Sequence, residues 1–520
     1  MKKILSYKKE ILLFCFIFIS IFSTIAVEPI TDLDELWNYN VARAISMGLI
    51  PYKDISMITT PLLPMIASLF LNVIANEVIV TRMLASLIGT GVIFCIYKIF
   101  TKIIKEENLS LIATALIGIL FKDVYALDYN FFVVLIALII LYKEIKLQNV
   151  SKTIKDEVQD KKIKNKVKIQ NLIIGILAGL AFCTKQSTGA ILSMVVAIYP
   201  LLQIEKKEEI KEYFKQTLVR IVGIIIPILI FFTYLILTKS LADFIDYAVL
   251  GISTFTNKIP YIQLFNNELL PIRILAGVVP LTIFILGIVI IINNLIKNKT
   301  NNIKNIVLLF MYSISIIITM YPISDKVHFL MGSTITIISL VYLIFLVGNF
   351  SYSKIPYKKK KKTYKILSFM FWLIILVRIV LFDINNVREY LNIEKNYEIN
   401  HYNYIEVADY LKEKINVVDE FILKQEENGK KVYILDAEAA VYMIPIDKYN
   451  KNYDLFLKGN LGKDGENGVI LDIQNEEENV VYLIRKPHMN FNWQTPTKVI
   501  EYVRENLEKI GEVSIFDIYE

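Results

Sequence analysis

The sequence predicts an α-helical protein that crosses a membrane about eleven times and ends in a smaller, soluble α/β domain. Hydrophobic residues make up 55% of its 520 residues and the mean hydropathy is +0.50, whereas a soluble protein must cover its surface with charge. Apolar runs of membrane-spanning length recur until about residue 382, where the composition changes. Both observations favour a polytopic membrane protein.

The predicted spans follow from the thickness of the bilayer core, which needs about 20 apolar residues of helix. They lie near 11–27, 78–97, 108–121, 129–142, 171–184, 187–203, 218–238, 271–295, 304–320, 329–348 and 365–382. The runs 108–121 and 129–142 are short, so we expect their helices to extend into the flanking polar residues.

Lysine and arginine predict the orientation, since short basic loops stay in the cytoplasm. Four lysines precede the first span, and each basic stretch follows an even-numbered crossing: 98–105, 143–168, 206–215 and 354–365. This pattern predicts a multi-pass protein of the cell membrane with a cytoplasmic N-terminus. We interpret the stretches 143–168 and 354–365 as solvated cytoplasmic loops, not as lipid-headgroup or nucleic-acid sites. The first run could also be a signal peptide, but Glu28-Pro29 follows it without a small-residue cleavage site, which favours an uncleaved helix.

An extracytoplasmic α/β domain is predicted for residues 384–520, after a transmembrane domain at 1–383. Strand-like runs lie at 432–435, 469–471, 480–484 and 513–518, helical patterns lie at 403–414, 417–427 and 497–509, and a turn-rich loop covers 459–468. This domain contains no catalytic motif, so we interpret it as a structural or acceptor-positioning cap.

Cysteine and histidine usage argues against several kinds of site. The three cysteines lie in apolar runs without metal-ligand spacing, and there are only three histidines. A disulfide framework or a multi-histidine metal centre is therefore not predicted, and no cofactor is expected. A divalent ion held by carboxylates stays open.

The most informative segment is the first predicted outside loop, residues 28–77. Apolar residues recur at helical spacing between 33 and 45, which predicts an amphipathic interfacial helix with Asp34, Asn38 and Arg43 on its polar face. Gly48 is a plausible stop signal, and Pro51 prevents the helix from continuing.

The carboxylates at the start of this helix have two interpretations. Asp32 can cap the helix, and Glu35 can complete a capping box, which is a purely structural role. Asp34 is left over in the first turn, where the helix dipole favours a carboxylate able to accept a proton.

A family resemblance gives this loop further meaning. The residues Asp34-Glu35, Tyr39, Ala42-Arg43, Gly48, Pro51 to Asp54 and Pro61-Leu62 resemble the first extracytoplasmic loop of the C-type (GT-C) glycosyltransferases, which include protein O-mannosyltransferases and aminoarabinose transferases. The resemblance continues at Glu77 to Ser86, Asp128 to Asn130, Gly179 to Gln186, and Tyr321-Pro322 with Asp325 and His328. It covers the membrane region to about residue 382.

The resemblance implies an inverting enzyme that transfers a sugar from a polyprenyl-phosphate donor to an extracytoplasmic glycan, lipid or protein. The expected catalytic residues are Asp34, which takes or orients the acceptor proton, and Glu35. Cations would stabilise the leaving phosphate. The expected substrate-binding residues are Arg43, Lys53, Asp54, Arg82, Asp128, Lys185 and His328. The richness in Ile, Lys and Asn favours a bacterial source and undecaprenyl phosphate as the carrier.

Five of these seven binding residues also have a plain structural interpretation. Lys185 and Arg82 could simply be solvated at the ends of spans, although a lysine amid so much apolar sequence usually lines a cavity. Asp54 and Asp128 are ordinary loop carboxylates, and His328 could be a satisfied helix-end histidine.

Two other functions compete with the glycosyltransferase hypothesis. A transporter or flippase of lipid-linked or small polar substrates usually shows an internal repeat and mid-membrane charges, and the sequence shows no convincing repeat. A membrane-anchored structural protein would leave the 31–61 segment unexplained. The long 239–270 loop is interpreted as a mobile cover over a site.

Overall fold

The structure is a computed structural model that describes residues 2–30, 33–156, 161–254, 258–296, 302–353, 357–393, 399–476, 479–489, 492 and 494–520. The chain divides into two compact units. Unit 1 comprises Met1–Thr24, Ala85–Ile230 and Lys258–Arg388, and unit 2 comprises Ile25–Leu84, Phe231–Asn257 and Glu389–Glu520. The predicted division into domains at residue 383 stays a prediction.

Helices account for most of the described residues. In chain order they are α1 Lys2–Ala26, α2 Leu33–Ser46, α3 Leu62–Val73, α4 Val78–Ile103, α5 Glu107–Leu120, α6 Tyr129–Asp156, α7 Lys161–Thr184, α8 Gln186–Ile198, α9 Ile210–Leu237, α10 Leu241–Phe244, α11 Gln263–Asn266, α12 Leu270–Ile296, α13 Ile303–Ile317, α14 Lys326–Ser353, α15 Tyr357–Asn392, α16 Asp409–Glu427, α17 Ala439–Met443, α18 Gly465–Asn475 and α19 Thr497–Asn506.

Within the described residues, nine helical segments are long and apolar enough to cross a membrane. They correspond to nine of the predicted spans, and the polytopic fold class is confirmed. The other two predicted spans lie in α5, a short apolar helix, and in α6, whose apolar residues continue into a charged stretch. A further short apolar helix, α3, was not predicted from the sequence.

Glycines let helices of unit 1 approach one another closely. A Cβ atom on Gly175 of α7 would lie 2.2 Å from the Arg220 carbonyl oxygen of α9, and one on Gly223 would lie 2.5 Å from the Leu172 carbonyl oxygen. Small residues at such contacts allow the backbones of membrane helices to touch. The α7 and α9 backbones therefore pack against each other without intervening side chains.

A buried ion pair reinforces the same region of unit 1. Arg220 of α9 donates to both carboxylate oxygens of Glu144 in α6, at 2.5 and 3.0 Å, and to the Asn171 side chain of α7 at 2.6 Å. Tyr312 of α13 donates to the same carboxylate. A charge buried in apolar surroundings is costly unless it is paired and hydrogen-bonded, and both conditions are met here.

The C-terminal part of unit 2 contains a four-stranded sheet in the order β1-β2-β4-β3. The strands are β1 Lys431–Ile434, β2 Val480–Arg485, β3 Lys509–Val513 and β4 Phe516–Tyr519. β1 and β2 pair in parallel, whereas β4 pairs antiparallel with both β2 and β3. Phe456, Tyr482 and Val499 contribute to the core beside this sheet. The predicted α/β character is confirmed.

Several local predictions for this region were wrong. The strand-like run 469–471 lies inside α18, because Val469 and Ile473, four residues apart, are buried on one helix face. The predicted helices 403–414 and 417–427 form one helix, α16, which begins only at Asp409. The predicted strand 513–518 is divided between β3 and β4 by a turn.

Candidate functional site

Helix α2 confirms the predicted helix in the first outside loop, but its surroundings differ from the prediction. Every residue from Leu36 to Ala44 is buried, including Asn38 and Arg43. The predicted polar face of an interfacial helix is therefore wrong for these two residues, because other parts of unit 2 cover them. Gly48 follows the helix with φ +92°, a conformation that favours glycine, as the stop signal predicted.

The two candidate catalytic carboxylates have different environments in unit 2. Asp34 is exposed in the first turn of α2, and its backbone carbonyl accepts a hydrogen bond from Asn38 at 2.8 Å. Glu35 forms a two-point ion pair with Arg82, with Nε to Oε1 at 2.6 Å and Nη2 to Oε2 at 2.9 Å. Asp32, the other half of the possible capping box, lies outside the described residues.

The Glu35–Arg82 pair joins the start of α2 to α4. Arg82 is 2% exposed and also donates to the backbone carbonyls of Ile25 and Glu28. A bidentate pair that satisfies a buried guanidinium fixes the geometry of both side chains. Glu35 and Arg82 therefore hold α2 in place, and their predicted contacts with substrate stay predictions.

Arg43 is held by protein groups on several sides. It is fully buried, donates to the Asn40 side chain at 3.0 Å and to the Lys448 carbonyl, and lies 3.6 Å from Asp447. Burial lowers the pKa of this guanidinium. These contacts link α2 to the 447–448 segment, so the structure shows a structural anchor at Arg43.

A second link between α2 and the C-terminal part of unit 2 passes through His401. Its Nδ1 lies 3.0 Å from the Tyr39 hydroxyl and its Nε2 lies 2.7 Å from Asp447. Tyr39 is fully buried, and burial raises the pKa of its phenol. No sequence signal predicted this contact, because 362 positions separate Tyr39 from His401.

Lys53 and Asp54 lie in the tight turn after α2. Lys53 is exposed, whereas Asp54 is half-buried. The Asp54 carboxylate accepts a hydrogen bond from the Ile50 amide at 3.0 Å and lies 3.5 Å from Lys451. Lys53 is thus available to a ligand, while Asp54 is partly used in shaping the turn.

Unit 1 brings the other three candidates, Asp128, Lys185 and His328, to the beginnings of three helices. Lys185 directly precedes α8, and its Nζ donates to the Asn130 Oδ1 in the first turn of α6 at 2.6 Å and lies 5.3 Å from the Tyr129 ring centre. Asp128 and Lys185 both interact electrostatically with His328 in the first turn of α14. The N-termini of α6, α8 and α14 therefore meet.

We call the place where these helices meet the three-helix site; it comprises Asp128 to Asn130, Lys185 and Asp325 to His328. Two aspartates cap helices there. Asp128 accepts from the Phe131 amide at 2.9 Å. Asp325 accepts from both the backbone amide and the Nδ1 of His328, at 2.8 and 2.9 Å. Both aspartates thus cap a helix, which the sequence analysis did not predict for them, and Asp325 additionally orients the imidazole.

The three-helix site and the first turn of α8 also contain buried polar atoms without a hydrogen-bond partner among the described residues. Among the described residues, the side-chain amide nitrogen of Asn130 and the hydroxyl of Thr188 have no hydrogen-bond partner, although both residues are 1% exposed. Lys185 makes its short contact with a neutral amide. The site thus combines a lysine and a histidine with two carboxylates, Asp128 and Asp325, that already cap the ends of α6 and α14.

A metal centre is not evident in the described parts of the chain. They contain no group of three or more His, Cys, Asp or Glu side chains placed to hold a metal ion.

Part of the predicted cover segment packs within unit 2. Residues 241–254 form α10 and two further short helical turns. The Asp246 carboxylate accepts a hydrogen bond from the Lys463 amide at 3.0 Å, and the Thr254 hydroxyl approaches the Lys458 carbonyl at 3.3 Å. Residues 255–257 lie outside the described residues, and the predicted mobility of the segment stays a prediction.

No family model matches the sequence, and no curated protein matches it. Solved structures do match. ArnT from Cupriavidus metallidurans bound to undecaprenyl phosphate has a TM-score of 0.55 at 9% identity, covering 98% of this chain and 97% of that chain. Archaeal oligosaccharyltransferase AglB from Archaeoglobus fulgidus was solved in complex with an inhibitory peptide and a dolichol-phosphate. It has a TM-score of 0.51 at 11% identity, and the match covers 92% of this chain and 70% of that chain. The chain therefore has the fold of the C-type (GT-C) glycosyltransferases, as its resemblance to them predicted.

Proposed function

We propose that this protein is a membrane glycosyltransferase that moves a sugar from a polyprenyl-phosphate donor to an acceptor hydroxyl on the extracytoplasmic side. The observation that carries the proposal is the meeting of three helix N-termini around Lys185 in unit 1. The fold adds support, since ArnT and AglB were solved with undecaprenyl phosphate and a dolichol-phosphate. The acceptor is a cell-envelope glycan, a lipid or a protein.

The three-helix site would bind the phosphate of the donor. Lys185 and the protonated His328 would donate to phosphate oxygens, and the Asn130 amide offers a further donor. These groups would stabilise the negative charge that grows on the phosphate as the sugar departs. Asp128 and Asp325 would hold the helix ends and the imidazole in position.

Asp34 is the carboxylate that we propose for the acceptor. The acceptor oxygen forms a bond to the anomeric carbon while the bond from that carbon to the phosphate oxygen breaks. The acceptor proton goes to Asp34, and polyprenyl phosphate leaves. A single displacement of this kind inverts the anomeric configuration. The exposure of Asp34 is compatible with the role, because an acceptor must reach it.

The other candidates in unit 2 receive roles that follow from their contacts. We propose that Glu35, Arg82 and Arg43 act by holding α2, and that the exposed Lys53, beside Asp54, contacts a charged part of a substrate. The multi-pass location with a cytoplasmic N-terminus, predicted from the basic loops, belongs to the same proposal.

Lipid binding tests the phosphate site directly. The full chain in nanodiscs is incubated with undecaprenyl phosphate, and bound lipid is counted by native mass spectrometry for wild type, Lys185→Ala and Lys304→Ala. The control, Lys304, is also in unit 1 but pairs with Glu205 at 3.0 Å. We expect binding to weaken at least about tenfold only in Lys185→Ala. Equal binding by all three proteins would reject the site.

A transport assay separates the proposal from its main alternative. Proteoliposomes containing the chain are supplied with a fluorescent polyprenyl-phosphate sugar on one side. We expect sugar transfer to an acceptor that depends on Asp34, and no lipid movement faster than in empty vesicles. Movement of the lipid that persists in Asp34→Asn, with no sugar transfer in wild type, would favour a flippase.

A further inference from the structure

Unit 1 contains a cavity that the proposed reaction does not use. It has a volume of about 800 Å³ and lies between α1, α4, α5 and α15. Its residues on α1 run from Lys9 to Thr24, so at a rise of about 1.5 Å per residue it extends roughly 22 Å along that helix. Protein cavities that bind small molecules usually measure about 300–1,000 Å³. The cavity is therefore large enough for a ligand.

The wall of this cavity is mainly apolar, with charged residues towards its two ends. Most of the lining residues are leucine, isoleucine or aromatic. Lys9, Glu10 and Glu107 lie at one end, where Tyr97 interacts electrostatically with both glutamates. Lys122, which follows the last turn of α5, lies at the other end. A ligand that fits this wall must itself be largely apolar.

Arg378 of α15 is the exception within the apolar wall. It lies between the lining residues Trp372 and Phe382, in the part of α15 that is apolar enough to cross a membrane. Its side chain is exposed and, among the described residues, forms no hydrogen bond or ion pair. An arginine inside a membrane span is costly and usually marks a functional site with a partner of opposite charge. An anion in the cavity would be such a partner.

Two carboxylates of the surrounding helices already have other partners. Glu10 accepts a hydrogen bond from the Lys98 ammonium at 2.6 Å, which joins α1 to α4. Asp383 accepts one from the Ser20 hydroxyl at 2.9 Å, which joins α15 to α1. These contacts fix the helices around the cavity and leave the charge of Arg378 to a ligand.

The ligand must combine an anion with apolar chains, and a phospholipid of the bilayer has this chemistry. Its acyl chains span one leaflet, which is about half of the roughly 30 Å hydrocarbon core. They therefore fit within the length of the cavity, whereas the much longer chain of undecaprenyl phosphate would extend beyond it. Basic pockets between membrane helices are known to bind the headgroups of anionic lipids.

We propose that the cavity binds one anionic phospholipid, with its phosphate paired to Arg378 and its acyl chains along the wall formed by α1, α5 and α15. Lys122 is a second cation for the headgroup, since its Nζ lies 3.8 Å from Asp123, a carboxylate that Lys326 also contacts. The bound lipid completes the packing between α1, α5 and α15. The described residues of the three-helix site do not line this cavity, so the proposal does not rest on the proposed function.

Phosphatidylglycerol binding to the delipidated full chain in detergent tests the phosphate contact. Bound lipid is counted by native mass spectrometry for wild type, Arg378→Gln and Arg388→Gln. Arg388 is the matched control, because it is an exposed arginine of the same helix that does not line the cavity. We expect binding to weaken at least about tenfold only in Arg378→Gln. Equal binding by all three proteins, or an equal loss in both variants, would overturn the contact.

Filling the cavity tests where the lipid lies. Gly118 of α5 lines the cavity, and a Cβ atom there would be 3.8 Å from the Tyr125 hydroxyl, so a side chain can be added without a clash. Gly118→Phe should lower phosphatidylglycerol binding at least about tenfold. The control is Gly348→Phe in α14, where nothing lies within 4 Å of an added Cβ atom. Binding by Gly118→Phe at the level of wild type would overturn the cavity as the site.

Photo-crosslinking of the wild type identifies the occupant without relying on a variant that must fold. Phosphatidylglycerol with a diazirine on an acyl chain should label the cavity-lining peptides of α1 and α5, and unlabelled phosphatidylglycerol should compete. Labelling spread evenly over exposed faces such as that of α12 would mean surface lipid and would overturn the proposal.

Competition separates this site from the proposed function. Undecaprenyl phosphate at an equal concentration should not displace the phospholipid, and displacement would overturn the phospholipid assignment. Lys185→Ala, which tests the donor site, should leave the crosslinking unchanged. If the phospholipid binds as expected but no sugar transfer is ever found, the lipid site stands and the proposed function fails. If transfer is found without phospholipid binding, only the lipid site fails.

Discussion

Glu35 and Arg82 form a two-point ion pair, with nitrogen-to-oxygen distances of 2.6 and 2.9 Å, that joins helix α2 to helix α4. Glu35, predicted as catalytic, and Arg82, predicted as substrate-binding, thus pair with each other. Only Asp34, one position earlier, is exposed to an acceptor. The structure therefore favours a structural role for Glu35 and leaves the exposed Asp34 accessible to a substrate.

Removing Glu35 should destabilise the protein strongly. Glu35→Ala leaves the Arg82 guanidinium buried without its carboxylate, which costs about 3–5 kcal/mol. Thermal unfolding of the full chain in nanodiscs measures the effect. The control is Asp409→Ala, whose exposed carboxylate pairs with Lys412 and should matter little. An unfolding midpoint unchanged in Glu35→Ala, with sugar transfer lost, would instead make Glu35 catalytic.

Asp34→Asn, unlike Glu35→Ala, should lower the turnover of sugar transfer without destabilising the protein. The exposed side chain contributes little to folding, so the unfolding midpoint should stay near that of wild type. Loss of the carboxylate should reduce kcat by a factor of about 100 or more, the usual contribution of a general base. Transfer from a radiolabelled polyprenyl-phosphate sugar measures kcat. Asp464→Asn, another exposed aspartate, serves as the control; wild-type turnover in Asp34→Asn contradicts the assignment.

Close packing of α7 on α9 predicts that Gly175 cannot be replaced. A Cβ atom there would lie 2.2 Å from a carbonyl oxygen, so Gly175→Ala must push the helices apart, at a cost of about 1–3 kcal/mol or more. Gly348→Ala in α14 is the matched control, since nothing lies within 4 Å of its added methyl group. The control should be neutral or slightly stabilising. Equal unfolding midpoints for the two variants would contradict the packing.

Asp419 predicts a pH dependence of stability. Burial raises the pKa of this carboxyl to about 8, and among the described residues its Oδ1 has no hydrogen-bond partner. The folded state therefore holds the proton more tightly than the unfolded chain does. Its contribution to stability is complete at pH values below the pKa of an unfolded aspartate and is lost as the pH rises through about 8.

Chemical unfolding of the full chain at several pH values measures this contribution. Asp419→Asn should be more stable than wild type at pH 9 and should lose most of the advantage at pH 4. Asp409→Asn, an exposed aspartate in the same helix, should follow wild type at both values. A pH dependence that is identical in wild type and Asp419→Asn would show that the carboxyl is not protonated in the folded protein.

The candidate site was only partly predictable. Lys185 was singled out because a lysine amid so much apolar sequence stands out, whereas Asp128 and His328 were singled out through the family resemblance; their contacts with substrate stay predictions. Asp325 and Asn130 were part of the family resemblance but received no role, since only the fold shows that one orients an imidazole and the other contacts Lys185.

The sequence by itself determined the membrane-spanning helices, the helix after the first span and its end at Gly48, because hydropathy, helical periodicity and glycine conformation are local properties. Only the tertiary structure decided which polar residues are buried. Arg43 and Asn38 were expected on the polar face of an interfacial helix, yet both are buried, and the Lys448 carbonyl, far along the chain, accepts from Arg43. Burial depends on which distant segments pack together, and no local pattern contains that information.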